Sequence, residues 1–338
     1  MAAGDAEAVT GASSAPILAF STRGDVTETV QRGHIVVVGG DGEVRAATGD
    51  PEVLTTLRSC AKPLQALPFV ELALDALGAT AAELALACAS HNGEDEHVGT
   101  ARSLLARAGV GEDELACGPQ MPTDEASARR LLAGGGAPLP VHNNCSGKHA
   151  AMLATCAVAG WPRAGYVERG HPLQQAVTDT LSTCLGIGLG SSAWGIDGCG
   201  LPTFGVPLRA LARGFAWAQG VHPLFGRCQD AMAAHPFLVA GTGRFDTALL
   251  AASGDRVTAK IGGAGVWVAV VRPAGPAVAI KLEAGSGEAI PPVAIAALQR
   301  LGALPDPLPA SLEAFAAPVL RNWAGTPIGR IRPASAAL

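Results

Sequence analysis

A serine and a lysine three residues apart, Ser59 and Lys62 in the stretch LRSCAKPLQ, have the types and spacing of a nucleophile and its base. Residues at i and i+3 of a helix share a face, so the Lys62 amine can reach the Ser59 hydroxyl. A desolvated lysine can lose its proton and activate a serine, whereas arginine stays protonated. The same spacing also arises by chance, so the pair alone leaves both interpretations open.

Lysine is scarce in this chain, since four lysines stand against twenty arginines. Lysine is expected to be kept at positions where arginine cannot replace it, because the arginine guanidinium is rigid and does not lose its proton. Lys260 ends a β-type run and is followed by Ile261, Gly262 and Gly263, and glycines let another backbone approach closely. An exposed lysine at a strand end is the alternative for Lys260. Lys281 has no such neighbours and is expected to be a solvated strand residue.

Ser90, His91 and Asn92 follow a helical run in the stretch ACASHNGEDEH. Such residues at a helix end are common in capping and turns. The functional alternative is a second hydroxyl and an amide that face the same cavity as Ser59.

The densest polar cluster is VHNNCSGKHAAML, residues 141–153, which leads into an apolar helix. It contains Asn143, Asn144, Cys145, Lys148 and His149. Backbone N–H groups and side-chain amides converge at such a helix start, which is a natural place to hold a carboxylate.

A glycine-flanked loop in WGIDGCGLPTF adds Asp197 and Cys199. Cys145 and Cys199 could give two thiolates to a zinc ion, with His149, Lys148 or Asp197 completing the site. Two cysteines this far apart are more often core thiols, so metal binding stays open on the residues alone.

The order of elements predicts an α/β protein. Residues 1–15 are expected to form a disordered tail, and residues 16–335 a single catalytic body. Strand patterns at about 16–56 and 255–335 predict one sheet, and apolar spacing at i, i+3 and i+4 predicts a mostly helical middle at about 57–254.

The element that carries Ser59 is predicted to be a helix start with a kink, because Pro63 and Pro68 interrupt the helical spacing. Near the N-terminus, a glycine–aspartate turn at residues 39–42 between β-branched runs predicts a hairpin.

Composition excludes several classes of protein. Apolar residues make up 49% of the chain and charged residues 16%, which is enough for a sizeable core. The net charge of −5, without a basic stripe, argues against nucleic acid as a partner. There is no apolar run long enough for a membrane span and no signal-peptide pattern, so a cytoplasmic protein with eight free cysteines is expected.

Taken together, the motifs SCAK, CASHNGE, HNNCSGKHAAML, GIDGCGLPTF and KIGGAGV, with the C-terminal RNWAGTPIGRIRP, resemble the Rhizobium-etli-type L-asparaginases, or asparaginase II family. The resemblance covers about residues 20–335. It implies the fold of serine β-lactamases, penicillin-binding proteins and bacterial glutaminases, in which helices flank an antiparallel sheet and a largely helical segment is inserted. It also implies hydrolysis of L-asparagine to L-aspartate and ammonia, and a homodimer.

The resemblance also assigns roles to single residues. Ser59 is the implied nucleophile with Lys62 as its base, and Ser90 with Lys260 forms a second Ser–Lys pair. A zinc ion is implied on Cys145, Lys148 and Cys199, with a water as fourth ligand. The implied substrate-binding residues are Arg58, His91, Asn143, Asn144, His149 and Asp197.

Three alternatives remain open at this stage: a glutaminase, a β-lactamase-like amidase or peptidase, and a non-catalytic zinc-binding module. Lys260 is followed by Ile261 rather than by the hydroxyl residue usual in β-lactamases, which makes penicillin chemistry less expected. The choice between L-asparagine and L-glutamine depends on one methylene, worth about 1–3 kcal/mol in a pocket.

Overall fold

The computed structural model describes residues 14–335, so nearly all of the predicted tail at residues 1–15 lies outside the described part of the chain. The predicted α/β class is confirmed. The strands are β1 (Ile17–Arg23), β2 (Val26–Val38), β3 (Val44–Thr48), β4 (Leu54–Thr56), β5 (Trp194–Ile196), β6 (Pro202–Pro207), β7 (Val257–Ile261), β8 (Val266–Val271), β9 (Ala277–Leu282), β10 (Val319–Arg321) and β11 (Pro327–Pro333).

The helices fill most of the middle of the chain, as the apolar spacing predicts. They are α1 (Lys62–Gln65), α2 (Leu67–Leu72), α3 (Ala81–Ala87), α4 (Asp95–Arg107), α5 (Glu125–Ala133), α6 (Ser146–Ala159), α7 (Pro172–Leu185), α8 (Leu208–Val221), α9 (Phe225–Ala234), α10 (Pro236–Val239), α11 (Phe245–Ser253), α12 (Ile290–Arg300) and α13 (Ala310–Ala316). Short 3-10 helices occupy Arg58–Ala61, Glu112–Glu114, Pro140–His142 and Gly254–Arg256.

The main sheet has eight strands, paired antiparallel in the order β10-β11-β1-β2-β9-β8-β7, with β3 also paired to β2. At 13 residues, β2 is long enough to pair with β1 along its first half and with β3 along its second. The predicted hairpin between β2 and β3 is confirmed. Its turn is closed by a hydrogen bond of 2.9 Å from the Gly42 N–H to the Gly39 carbonyl.

The sheet is buried on both faces. Along β8, Val266, Val268 and Val270 belong to one hydrophobic core, and Trp267 and Ala269 belong to the other. This alternation follows from the period of two along a strand. The helix α8 packs on one face against β2, β8 and β9, and α12 packs on the other against β1, β9 and β11. The sheet is therefore the middle layer between two groups of helices.

A second sheet of three antiparallel strands, β4-β6-β5, was not predicted. It takes β5 and β6 from the segment predicted to be mostly helical, and β4 from the segment assigned to the main sheet. The residues of β6 alternate between buried and half-buried, which is a strand pattern in a run too short to stand out. This small sheet holds the loop that contains Asp197 and Cys199.

All eight cysteines are buried free thiols, which agrees with the expectation that disulfides do not frame the fold. Within residues 14–335, none of the helices combines the length and apolar character needed to span a bilayer.

Candidate active site

A polar cavity of about 310 Å³ opens where the 3-10 helix at Arg58–Ala61, the end of β7 and the loop between β5 and β6 meet. Eight of the predicted site residues lie on its wall, and the other five lie behind it. The wall consists of Arg58, Ser59, Ser90, Gln120, Asn143, Asn144, Cys145, Asp197, Gly198, Cys199, Arg244, Ile261, Gly262 and Gly263. The buried residues behind it are Lys62, His91, Lys148, His149 and Lys260.

Ser59 lies half-buried on the 3-10 helix, and its hydroxyl has no hydrogen-bond partner among the described residues. The preceding residue, Arg58, has a φ of 46°, a left-handed conformation that is rare outside glycine. A Cβ on Gly262 would lie 2.9 Å from the Cys60 sulfur, and one on Gly263 would lie 2.9 Å from the Arg58 guanidinium. The predicted close approach at these two glycines is confirmed, and it brings the Ser59 turn against the end of β7.

The Lys62 amine is fully buried and is held by three acceptors. It donates to the Ala89 carbonyl, to Ser90 Oγ at 2.9 Å and to the Asn144 carbonyl at 3.3 Å. The two carbonyls can only accept, so they hold two of the amine hydrogens, whereas the Ser90 hydroxyl can either accept from the amine or donate to it. Within residues 14–335 no hydrogen bond joins Lys62 to Ser59, so the contact predicted from the i, i+3 spacing is replaced by one to Ser90.

The Lys260 amine is also fully buried, which excludes the exposed strand-end alternative. It donates to the Ile261 carbonyl at 2.7 Å and lies 3.6 Å from the buried carboxylate of Asp246. The described part of the chain contains no hydrogen bond between Ser90 and Lys260, so the role implied for this pair stays a prediction. The Lys260 amine is instead directed to the Asp246 carboxylate and the Ile261 carbonyl.

Burial shifts both amines toward the neutral form. It lowers the pKa of Lys62, with the Cys145 thiolate opposing this and the Lys148 charge adding to it. Burial lowers the pKa of Lys260 to about 8, against the opposing charge of Asp246. Both residues are therefore easier to deprotonate than an exposed lysine.

Two thiols and two amines meet at one side of the cavity. The Lys148 amine donates to the Cys199 sulfur at 3.3 Å. A hydrogen bond from Cys199, with the charges of Lys62 and Lys148, lowers the pKa of Cys145, and the same shared proton together with burial raises the pKa of Cys199. Burial lowers the pKa of Lys148, but the thiolate charges outweigh it and raise that pKa. Cys145 therefore gives up its proton more readily than Cys199.

This group is the part of the site that could hold a metal ion. In the described residues, no three His, Cys, Asp or Glu side chains are grouped as metal ligands. Two sulfurs and the Lys148 nitrogen do converge, and the adjoining cavity has room for a water, which together make the four ligands that zinc prefers. The residues fit zinc on the condition that the lysine amine is one of the ligands.

Polar side chains fix the remaining wall. Arg58 Nε lies 2.8 Å from Asp197 Oδ1, so these two predicted residues neutralise each other. Asn143 donates to the Cys117 carbonyl and accepts from the Cys145 N–H. The Asn143 amide therefore connects the backbone at Cys117 with the backbone at Cys145.

The two predicted histidines lie behind the wall. His91 Nε2 contacts Ser146 Oγ at 3.1 Å, and its Nδ1 accepts from the Gly93 N–H. His149 Nδ1 contacts the Tyr166 hydroxyl at 2.6 Å. Burial lowers the pKa of both histidines well below the usual range. Neither side chain is on the cavity wall, so their role in substrate binding stays a prediction.

The sequence motifs missed three residues that shape the site. Gln120 accepts from the Asn144 N–H, Arg244 lies on the wall, and Asp246 faces Lys260. Gln120 and Arg244 stand in no recognisable pattern. Asp246 gave no signal either, because the sequence does not tell which of the 29 acidic residues faces Lys260.

The comparisons with known proteins agree with the motif pattern. No curated protein matches the chain. The family model described as L-asparaginase II matches residues 19–333, which is nearly the whole chain. The family that the motifs resemble is therefore confirmed, and with it an enzyme of the amidohydrolase class. This chain belongs to the L-asparaginase II family and is an asparaginase-type amidohydrolase.

Proposed function

We propose that this enzyme hydrolyses L-asparagine to L-aspartate and ammonia through an ester on Ser59. The main support is the position of Ser59, whose hydroxyl lies without a hydrogen-bond partner among the described residues in the same small polar cavity as Ser90. The Ser90 hydroxyl in turn contacts the buried Lys62 amine. A cavity of about 310 Å³ suits a substrate the size of an amino acid.

The proposed proton path runs from Ser59 through Ser90 to Lys62. Neutral Lys62 accepts a proton from Ser90 as Ser90 accepts one from Ser59, and Ser59 Oγ bonds to the side-chain amide carbon. Backbone N–H groups at the wall stabilise the oxyanion. The proton returns along the same path to the amide nitrogen, the C–N bond breaks and ammonia leaves. Water then hydrolyses the ester, giving L-aspartate and restoring Ser59.

Lys260 and the binding residues complete the proposal. Lys260 lies close enough to Lys62 for the two ammonium charges to repel each other, which favours a neutral amine at Lys62. Asp197, Asn143 and Asn144 line the cavity as substrate-binding residues, together with Arg58.

Zinc belongs to the proposal as a cofactor held by Cys145, Lys148 and Cys199. When bound, it would supply a fixed positive charge that helps to orient the substrate. Arginine could not replace Lys148 there, because only a neutral amine can act as a ligand. The homodimer, the cytoplasmic location and the relation to serine β-lactamases also remain proposals, the last supported by Ser59-x-x-Lys62 on a helical segment and Lys260 on β7.

The test is ammonia release from L-asparagine and from L-glutamine, with metal analysis of the same sample. We expect L-asparagine to be preferred and zinc to be present. Ser59→Ala should lower kcat by at least about 10³-fold, while the exposed control Ser191→Ala should leave it unchanged.

Each alternative predicts a different result, and incubation with a penicillin followed by mass spectrometry completes the test. A preference for L-glutamine would indicate a glutaminase, and a penicillin adduct on Ser59 would indicate a β-lactamase-like amidase. Full activity in Ser59→Ala would refute the nucleophile assignment. A non-catalytic zinc module is set aside, because the family is one of amidohydrolases.

A further inference from the structure

Arg244 brings a positive charge to the cavity wall that no sequence motif marks. It lies half-buried directly before α11. Its Nη1 donates to Asn92 Oδ1 at 2.9 Å. The guanidinium has five N–H donors, so this bond leaves others for a ligand in the cavity.

Asn92, which accepts the hydrogen bond from Arg244, is itself held by several hydrogen bonds. Asn92 is 3% exposed, and its Oδ1 also accepts from Thr123 Oγ1 at 3.0 Å. Its Nδ2 donates to the Thr242 carbonyl and to Glu94 Oε1, both at 3.0 Å. These bonds fix the amide with its oxygen toward Arg244. Asn92 therefore acts on the cavity through the arginine, although it is not on the wall itself.

The charge of Arg244 is not neutralised within the described part of the protein, where no carboxylate forms an ion pair with it. The nearby Glu94 carboxylate accepts instead from Asn92, from the Thr242 N–H at 2.8 Å and from Thr242 Oγ1 at 2.7 Å. The other arginine of the wall, Arg58, is paired with Asp197. The wall thus has one neutralised arginine and one that can bind an anion.

We propose that Arg244 binds the α-carboxylate of the amino-acid substrate, while Asn92 holds its guanidinium in position. The proposal rests on the proposed function, because L-asparagine supplies the carboxylate. A planar guanidinium suits a carboxylate, since two of its N–H groups can donate in parallel. The Arg58 and Gly198 contacts of Asp197 both fall on Oδ1, which leaves Oδ2 for the substrate ammonium.

The test compares L-asparagine with 3-aminopropanamide, which keeps the amine and the side-chain amide but lacks the α-carboxylate. KM is measured for L-asparagine, and 3-aminopropanamide is measured as a competitive inhibitor of the same reaction. In Arg244→Gln, KM should rise about 30-fold, the loss expected for a hydrogen bond to a charged group, while the inhibition constant changes less than about 3-fold. Arg244→Lys should recover part of the loss, because the charge remains.

Arg129→Gln is the matched control, since Arg129 is an exposed arginine on α5. It should change neither constant. Equal effects of Arg244→Gln on L-asparagine and on 3-aminopropanamide would overturn the proposal, as would an unchanged KM. A wild-type protein that releases no ammonia from L-asparagine would refute the proposed function itself, and this proposal with it. Melting temperatures of all variants separate loss of binding from loss of folding.

Discussion

Lys62 and Lys260 are two buried lysines of one site with different surroundings. Lys62 donates to two carbonyls and to the Ser90 hydroxyl, whereas Lys260 lies beside the Asp246 carboxylate. Burial lowers the pKa of both amines. The difference is that one amine reaches a hydroxyl of the cavity wall and the other reaches a carboxylate.

Burial alone therefore does not make a lysine a base. A neighbouring carboxylate stabilises the ammonium form, so Lys260 retains a partner for its charge. Lys62 has a hydroxyl through which a proton can arrive. We therefore expect substitutions at Lys62 to act on the chemistry, and substitutions around Lys260 to act strongly on stability as well.

The largest expected effect is that of Lys62→Arg. An arginine cannot deprotonate, so kcat should fall by about 10³-fold or more, in line with the loss of a general base. The matched control is Lys281→Arg on β9, where the amine donates to the carbonyls of Ala264 and Leu282 and plays no part in the cavity. The measurement is the rate of ammonia release from folded protein. Substantial activity in Lys62→Arg would contradict the assignment of the base.

Asp246→Asn should act mainly on stability. It removes the carboxylate that faces the buried Lys260 amine, and an unpaired buried charge costs about 3–5 kcal/mol. Asp230→Asn is the control, because Asp230 forms its ion pair with Arg272 at the surface, where such a pair is worth about 0–1 kcal/mol. Denaturant unfolding at pH 7 gives both values. Equal losses of unfolding free energy in the two variants would show that the buried pair contributes no more to stability than the surface pair.

The pH dependence of stability gives a third test of Lys260. Its pKa is about 8 in the folded protein and about 10.4 in an unfolded chain, so between these values the unfolded state binds more protons. The free energy of unfolding should therefore rise with pH, by up to about 3 kcal/mol from this residue. Buried thiols act in the opposite direction, so the quantity to measure is the difference between wild type and Lys260→Met. A difference that stays constant from pH 8 to about 10.4 would refute the lowered pKa.

A smaller effect is expected from Gly147→Ala, which tests the packing of α6 against α3 beside the acceptors of the Lys62 amine. A Cβ on Gly147 would lie 2.4 Å from the Leu86 carbonyl, so α6 would have to move away from α3 and carry Asn144 with it. We expect a loss of about 1–3 kcal/mol in unfolding free energy and a lower kcat. Gly99→Ala in α4 meets nothing within 4 Å and should stabilise the protein by about 0.5–1 kcal/mol. A stable and fully active Gly147→Ala would contradict this account of the packing.

Much of the fold could be predicted from the sequence, because periodicity is a local property. The hairpin of β2 and β3, the interrupted helix after Ser59 and the helix α6 follow from turn residues, prolines and apolar spacing. The strand β5 could not be found in this way, since it has three residues and is stabilised by its pairing with β6.

The site was predictable in its residue types but less so in its pairings. Rare lysines and clustered polar residues marked Ser59, Lys62 and Cys145 as candidates, and the resemblance to a family grouped them into one site. The Lys62 amine is held by groups that follow α3, among them Ser90. The spacing of Ser59 and Lys62 contains no information on where the end of α3 lies. Arg244 gave no signal, because one arginine among twenty carries no compositional information.

The most direct test of the central claim is to locate the ester formed during turnover of L-asparagine. The reaction is quenched in acid, and the peptides are mapped by mass spectrometry. Trypsin leaves Ser59 and Ser90 on one peptide, so a glutamate-specific protease is required, because Glu71 and Glu83 lie between them. We predict an aspartyl adduct on the Ser59 peptide that disappears in Ser59→Ala. An adduct on the Ser90 peptide, in protein that turns over normally, would contradict the claim that Ser59 is the nucleophile.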